Sequence, residues 1–327
     1  MRYRILGKTG FEVSWISLGT WQVGGKWGSD FDHGNADRIL NLAVDKGINF
    51  IDTADLYGNG ESEKAIGRLM KNRSEEIYVA TKCGRKVNQT EKGFSPEGIR
   101  RFVEDSLKNM HLDTLDLVQL HCPPTEVYYR PEIFELFDRL KDEGKIRYMG
   151  VSVEKVEEGL KAIEYENVAT VQIIFNMFRQ RPAENFLRLA HSKHVGVIVR
   201  VPLASGLLSG KFRKDTKFGK MDHRFFNRNG VMFDKGETFG GVPYEAGLKA
   251  VGRLKKAFPG RKNLAPIALR WILMHEEVSC VIPGASRPEQ VTSNLLADDI
   301  PDLTEYELFQ VDRIYREDIK PLVHHLW

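Results

Sequence analysis

Eight times along this 327-residue chain, a short apolar run of β-favouring residues gives way to a longer segment whose apolar residues recur at helical spacing. That alternation restricts the fold more than any other feature. A hairpin precedes it, YRILGKTGFEVSW, turning at residues 7–10, and a first buried strand is predicted over residues 15–19. The following strands are INFID, ending at Asp52; EIYVATK, ending at Lys82; TLDLVQLH, ending at His121; then KIRYMGVS, ATVQIIF, VGVIVRVP and VSCVIPG. The segments between carry helical signals: Ser95 and Pro96 open one helix, a second runs over 131–143 until Gly144 stops it, and Ala65, Ile66, Leu69 and Met70 line one face of another. The pattern predicts a (β/α)₈ TIM barrel over residues 1–327 as a single domain, with an N-terminal β-hairpin and a C-terminal helix and tail. A doubly wound sheet is the competitor, but no GxGxxG follows an early strand.

One interval breaks the rhythm. Residues 203–242 hold glycines, lysines and phenylalanines without a helical period, and a loop this long is expected to cover a site in part. The tail, PLVHHLW, has three placements open to it: over the pocket, on a neighbouring subunit, or on its own barrel. Nothing in the sequence sets an oligomeric state.

A net charge of +3 is too small to mark a nucleic-acid or membrane surface, so the expected partner is a small molecule. Cys83, Cys122 and Cys280 are odd in number and lack CxxC spacing, which points to a reducing compartment. No apolar run approaches the roughly 20 residues that span a bilayer, and the start MRYRILGKTG has no apolar signal core. The expected location is the cytoplasm.

In a barrel, the carboxyl ends of the strands gather at one face. Asp52, Lys82 and His121 close consecutive strands, and Tyr57 follows Asp52 in a loop with Gly58 and Gly60. Each has a plain explanation alone: a loop cap, a packed ring, a solvated charge, a core histidine. Together they form a proton-transfer set. A neighbouring ammonium is expected to lower the pKa of the Tyr57 phenol, Asp52 to hold Lys82 charged, and His121 to donate to an oxygen on which charge develops. Such a set protonates an alkoxide but supplies no electrons, so a carbonyl reduction would need a hydride-carrying cofactor. No HxH pair or other ligand-spaced cluster accompanies Asp52 and His121, so no metal is expected.

The whole chain resembles the aldo-keto reductases. The segments carrying the resemblance are GTW (Gly19, Thr20, Trp21), FIDTADLYG, ATK, DLVQLH, GKIRYMGVS, VPLASGLLSGK and VIPGASRPEQVTSN. The resemblance implies reduction of an aldehyde or ketone by NADPH, with Tyr57 as general acid, Lys82 lowering its pKa, Asp52 supporting Lys82 and His121 orienting the carbonyl. It also implies cofactor contacts at Gly19, Thr20, Trp21, Asp52, Ser152, Gln172, Arg200 and Pro202. Leu203, Ser205, Gly206, Leu208, Gly210 and Lys211 would wrap the pyrophosphate, and Gly284, Ser286, Arg287, Gln290 and Asn294 would hold the adenosine phosphate. Arg287 is the reason to expect NADPH, since a guanidinium pairs with the extra phosphate.

Two positions depart from the family pattern. Val153 stands where an asparagine often binds the carboxamide, leaving Ser152 and Gln172. Arg200 stands where an aromatic residue usually stacks on the nicotinamide, and either stacks itself or bends toward a phosphate. Trp21, Trp27 and Phe175 are expected pocket walls. The alternative function, from a different class, is an NADPH-binding redox sensor like the potassium-channel β subunits that resemble this family.

Overall fold

A computed structural model describes residues 1–25, 30–87, 89–90, 93–261 and 263–327. Trp27, an expected pocket wall, lies outside the described residues. The opening hairpin pairs β1 (Tyr3–Ile5) antiparallel with β2 (Glu12–Ser14). Among the described residues, eight further strands run parallel in chain order: β3 (Leu18–Gly19), β4 (Phe50–Asp52), β5 (Tyr78–Cys83), β6 (Leu115–His121), β7 (Ile146–Ser152), β8 (Val168–Ile174), β9 (Gly196–Arg200) and β10 (Val278–Val281). Bridges from Ile16 to Val281 and from Gly19 to Gly284 join the last strand to the first, so the expected (β/α)₈ TIM barrel is the fold.

The outer layer consists of α1 (His33–Asp45), α2 (Glu61–Asn72), α3 (Pro96–Met110), α4 (Pro131–Asp142), α5 (Val156–Ala162) and α6 (Phe186–Ser192), each leading into the next strand. Their starts obey ordinary chemistry: the Ser95 hydroxyl accepts from the Gly98 amide and Pro96 takes the first helical position of α3. After β9 come a single turn, α7 (His223–Phe226), then α8 (Tyr244–Ala257) and α9 (Ala265–Leu273), followed beyond β10 by α10 (Pro288–Asp299). The tail continues through α11 (Glu305–Ile314), a wider turn over Tyr315–Ile319, and α12 (Lys320–Val323).

Side-chain alternation along the strands divides the core in two. Phe50, Tyr78, Ala80, Leu117, Ile198 and Cys280 fill the barrel interior, while Ile51, Val79, Val118, Leu120 and Val197 face the helices. The hairpin plugs one end. Leu6, Phe11 and Val13 belong to the interior cluster, and Phe11 stacks on Tyr78 with centroids 4.2 Å apart. Gly7 lies so close to the start of β9 that a Cβ there would stand 2.1 Å from the Gly196 amide nitrogen. Because Tyr78 and Gly196 begin their strands, the plug seals the amino ends and leaves the carboxyl ends for chemistry.

Of the three placements open to the tail, it takes the one on its own barrel. Trp327 is buried beneath the Arg179 guanidinium, 4.2 Å from its ring, and its indole donates to Asp234 Oδ1 at 2.9 Å. No helix among the described residues is long and apolar enough to cross a membrane.

Leu6 is fully buried at the sealed end, so Leu6→Ala leaves a cavity there. The expected loss is about 2–5 kcal/mol by urea denaturation. Ligand affinity should be retained, because the cavity opens at the amino ends of the strands and the carboxyl ends are left unchanged.

Candidate active site

The period of two that fills the barrel with apolar groups also places polar ones above them. On β5, Tyr78, Ala80 and Lys82 share the inward face, and β6 does the same with Leu117, Gln119 and His121. Lys82 is thereby buried to 1% exposure with its Nζ 2.5 Å from Asp52 Oδ2 and 2.8 Å from the Thr53 carbonyl. Asp52 Oδ1 accepts from Gln172 Nε2 at 2.7 Å and Gln119 Nε2 at 3.4 Å. Strands β4, β5, β6 and β8 thus meet in one hydrogen-bonded cluster. Burial alone would discharge Lys82, yet Asp52 and then Tyr57 outweigh it and hold the ammonium above its ordinary pKa.

Tyr57 is brought over this cluster by an unusual turn. Gly58, Asn59 and Gly60 all have left-handed backbones, with φ of 57°, 54° and 91°, which two glycines and an asparagine adopt at little cost. The Lys82 ammonium lies 5.1 Å from the Tyr57 ring centre, and the His121 ring is 6.1 Å away at a near-perpendicular angle. Lys82 does pull the phenol's pKa down, as expected. The net direction is nevertheless upward: burial is the largest cause, and Asp52 and Glu237 add to it. The expected pull of Lys82 is present but burial exceeds it, and Tyr57 stays protonated at neutral pH. His121 is held well below its ordinary range by burial and by Arg85, Lys82 and Arg200, so its imidazole is neutral.

Sequence reasoning missed the second layer of charge. Arg85, three residues beyond Lys82, donates to Glu237 Oε1 at 2.5 Å and reaches within 3.4 Å of His121 Nε2. Glu237 also pairs with Arg200 at 3.3 Å, and Arg200 donates to Glu154 at 2.7 Å and to the Val153 carbonyl at 3.0 Å. Arg200 is thus turned toward Glu237 and Glu154, and Glu237 faces its charge beside the cleft. Glu237 resists burial because Arg85 and Arg200 hold its pKa at about 2. For Glu154 burial prevails over Arg200, and the pKa rises to about 8. Arg85 and Glu154 stand just past strand ends, a signal that was available; Glu237 sits in the irregular interval, where no periodicity marks it.

A cleft runs from this cluster along the carboxyl ends of β9 and β10. Gly19, Thr20, Trp21, Asp52, Tyr57, Gln172, Arg200 and Pro202 line its inner part; Leu203, Ser205, Gly206 and Lys211 line the next part, and Gly284, Arg287, Gln290 and Asn294 its far end. Four residues expected as contacts are not among those lining it. Ser152 is fully buried behind Gln172, and Leu208 is buried with its amide bound to the Leu203 carbonyl. Gly210 forms a left-handed cap with φ of 74°, and Ser286 bonds Gln290 through both its amide and its hydroxyl. Phe175 is no pocket wall either. Three residues past Gln172, it falls on the helix-facing side and packs on Trp271 and His275, 5.1 and 4.9 Å away.

The irregular interval does form part of the cleft. His223 and Arg224 on α7 line it, as does Phe212, and His223 lies 4.6 Å from Trp21. The backbone feeding this segment is strained: Val201, Ala204 and Ser205 have φ of 50°, 47° and 54°. A β-branched residue such as Val201 adopts that region at a cost of about 1–3 kcal/mol. Asn176 holds it there, donating to the Val201 carbonyl at 3.0 Å.

This cluster makes a stability test possible. Lys82→Met leaves the buried Asp52 carboxylate without its cation, and the expected cost is about 3–5 kcal/mol by urea unfolding. Adding Asp52→Asn removes the stranded charge, and the double variant should recover part of the loss.

With the geometry set out, comparison with known proteins places the chain. The profile of the Aldo/keto reductase family matches residues 15–316. An NADH-specific methylglyoxal reductase of Escherichia coli is 30% identical over 316 residues, covering 90% of this chain and 93% of that one. A probable voltage-gated potassium channel subunit beta of Arabidopsis thaliana is 29% identical, with 98% of each chain covered. Among solved structures, the glycerol dehydrogenase of Gluconobacter oxydans superposes with a TM-score of 0.78 at 34% identity, over 97% of this chain and 95% of that one. Profile, relatives and superposition agree with the barrel, and the chain belongs to the aldo-keto reductase family of oxidoreductases.

Proposed function

We propose that residues 1–327 form one catalytic domain that reduces an aldehyde or ketone to the alcohol with NADPH, Tyr57 acting as general acid. The observation carrying this reading is the convergence of Asp52, Lys82, Tyr57 and His121 at one end of a long cleft. The cleft fits a dinucleotide. Its middle is built from Leu203, Ser205 and Gly206, where a tight left-handed turn leaves room for a backbone-hugging ligand, with Lys211 beside it. Arg287 at the far end, with Gln290 and Asn294, suits an additional phosphate; its nearest carboxylate, Glu289, is 3.9 Å away and exposed, so the guanidinium is available.

NADPH, when bound, supplies the hydride that reaches the carbonyl carbon. As that carbon gains its electron pair, the carbonyl oxygen takes the phenolic proton of Tyr57, leaving a phenolate that Lys82 stabilises until a solvent proton replaces it. Asp52 keeps Lys82 charged and in place. The neutral His121 takes no proton and serves to orient. Three free cysteines, two of them buried, suit the reducing cytoplasm.

The potassium-channel relative supports a second reading, a redox-sensing subunit that binds NADPH without sustained turnover. Consumption of NADPH with a panel of aldehydes and ketones separates the two. The reductase reading expects multiple turnovers in the parent and a loss of about 10²–10⁴-fold in Tyr57→Phe with NADPH binding retained. A parent that binds NADPH and turns nothing over supports the sensor. The E. coli relative is named as specific for NADH, so cofactor choice has its own test: Arg287→Ala should lower the ratio of NADPH to NADH efficiency by tenfold or more, and an unchanged ratio removes Arg287 from the phosphate site.

A further inference from the structure

Two guanidiniums stand at the inner end of the cleft and share one ionised carboxylate. Arg85 Nη2 donates to Glu237 Oε1 at 2.5 Å, and Arg200 Nη1 lies 3.3 Å from Glu237 Oε2. The other acid of the group, Glu154, accepts from Arg200 at 2.7 Å and also meets Glu237 carboxyl to carboxyl. Of two buried carboxyls in hydrogen-bond contact, one carries the proton. That one is Glu154, whose pKa burial pushes up to about 8, whereas Glu237 stays ionised between its two arginines. The charges behind the group cancel in pairs, Arg179 facing Asp234 and Lys82 bonded to Asp52. One positive charge is left over beside the reacting centre.

Geometry gives that charge a direction. While Nη2 of Arg85 is committed to Glu237, Nη1 points to His121 Nε2, 3.4 Å away. Because His121 Nδ1 is buried, Nε2 is the nitrogen this ring can offer to a carbonyl oxygen. A guanidinium only donates, so the two groups are donors side by side, and they suit two oxygens on adjoining carbons. One is the reacting carbonyl oxygen, shared with Tyr57. The leftover charge makes the other a carboxylate oxygen, since charge-assisted bonds are roughly twice as strong as neutral ones. Water does not disperse that charge: Arg85 has 16% of its side chain exposed and lies 5.8 Å over the Phe233 ring.

Resting on the carbonyl-reductase reading above, we propose that the site reduces 2-oxo acids, Arg85 Nη1 binding the substrate carboxylate while His121 and Tyr57 hold the neighbouring carbonyl oxygen. Arg85 is a specificity-determining residue in this scheme. The substrate anion completes an alternating row of charges: Arg200, Glu237, Arg85, carboxylate. The carbonyl carbon gains a hydride from NADPH and its oxygen gains the Tyr57 proton, which solvent restores. The carboxylate passes unchanged into the 2-hydroxy acid.

The test uses glyoxylate, pyruvate and 2-oxobutanoate, with butane-2,3-dione as the control that replaces the carboxylate of pyruvate by a neutral acetyl group. The parent is expected to reduce at least one of the acids with NADPH to its 2-hydroxy acid. Arg85→Met should lower kcat/KM for that acid, chiefly through KM, at least tenfold more than for the dione. Comparing variant with parent cancels the dione's own reactivity. Arg85→Lys, which keeps a cation, should recover part of the loss. NADPH affinity, followed by fluorescence, checks that each variant folds. A parent that reduces the dione or other carbonyls but none of the three acids overturns the proposal, as does an equal loss for acid and dione in Arg85→Met. Absence of turnover with every carbonyl tried, those of the wider panel included, overturns the reductase reading and this proposal together.

Discussion

The ion pair between Lys82 and Asp52 is the constraint to which the rest of this structure is fitted. Both side chains are nearly inaccessible to water, at 1% and 4% exposure, and two charges taken out of water stay ionised only when geometry and extra hydrogen bonds compensate. Four strands are needed to supply that compensation. Gln172 and Gln119 serve one carboxylate oxygen while Lys82 serves the other, and the Thr53 carbonyl takes a further ammonium proton. The barrel makes this possible because its strands deliver inward side chains in stacked layers, with the apolar hairpin sealing the lower end and the polar cluster occupying the upper.

Above the pair, the phenol and the second charge network depend on different elements. Tyr57 comes from a left-handed turn after β4, whereas Glu237 arrives from the far side of the cleft and fastens Arg85 to Arg200. Ser205 donates to the Glu237 carbonyl at 3.0 Å and accepts from the Phe239 amide at 3.1 Å, so the strained turn after β9 and the segment around Glu237 hold each other. Trp327 completes the arrangement from the tail. Its ring lies so near Gly241 that a Cβ there would come within 2.4 Å, and its indole holds Asp234. The charge network beside the cleft is therefore held by parts that are distant in sequence and close only in the folded chain.

That difference explains what could be read in advance. Asp52, Lys82 and His121 were legible because each closes an apolar run, and period-two alternation fixes which face it joins. The Gly58-Asn59-Gly60 turn was visible as glycine punctuation. Phe175 was misassigned through the same alternation: it also sits at a strand end, but one parity step puts it among helix residues such as Trp271. The direction of the Tyr57 pKa was beyond a pairwise argument, since Lys82 acts as expected but desolvation, a property of the whole enclosure, prevails. Glu237, His223 and Arg224 lie where no periodicity exists, and Arg200 needed its partners Glu154 and Glu237 before its orientation had meaning. Trp327 had three placements open to it until Arg179 and Asp234 were seen around it.

The claim on which this account turns is that Tyr57 is a proton-bearing acid, held so by burial against the pull of Lys82. Carbon-13 NMR of protein labelled at the tyrosine Cζ, recorded as a pH titration of the parent and of Tyr57→Phe to assign the resonance, measures that ionisation directly. The account requires the Tyr57 resonance to titrate above the ordinary phenol value of about 10. A midpoint below that value would contradict it, showing that the ammonium governs the site and burial does not.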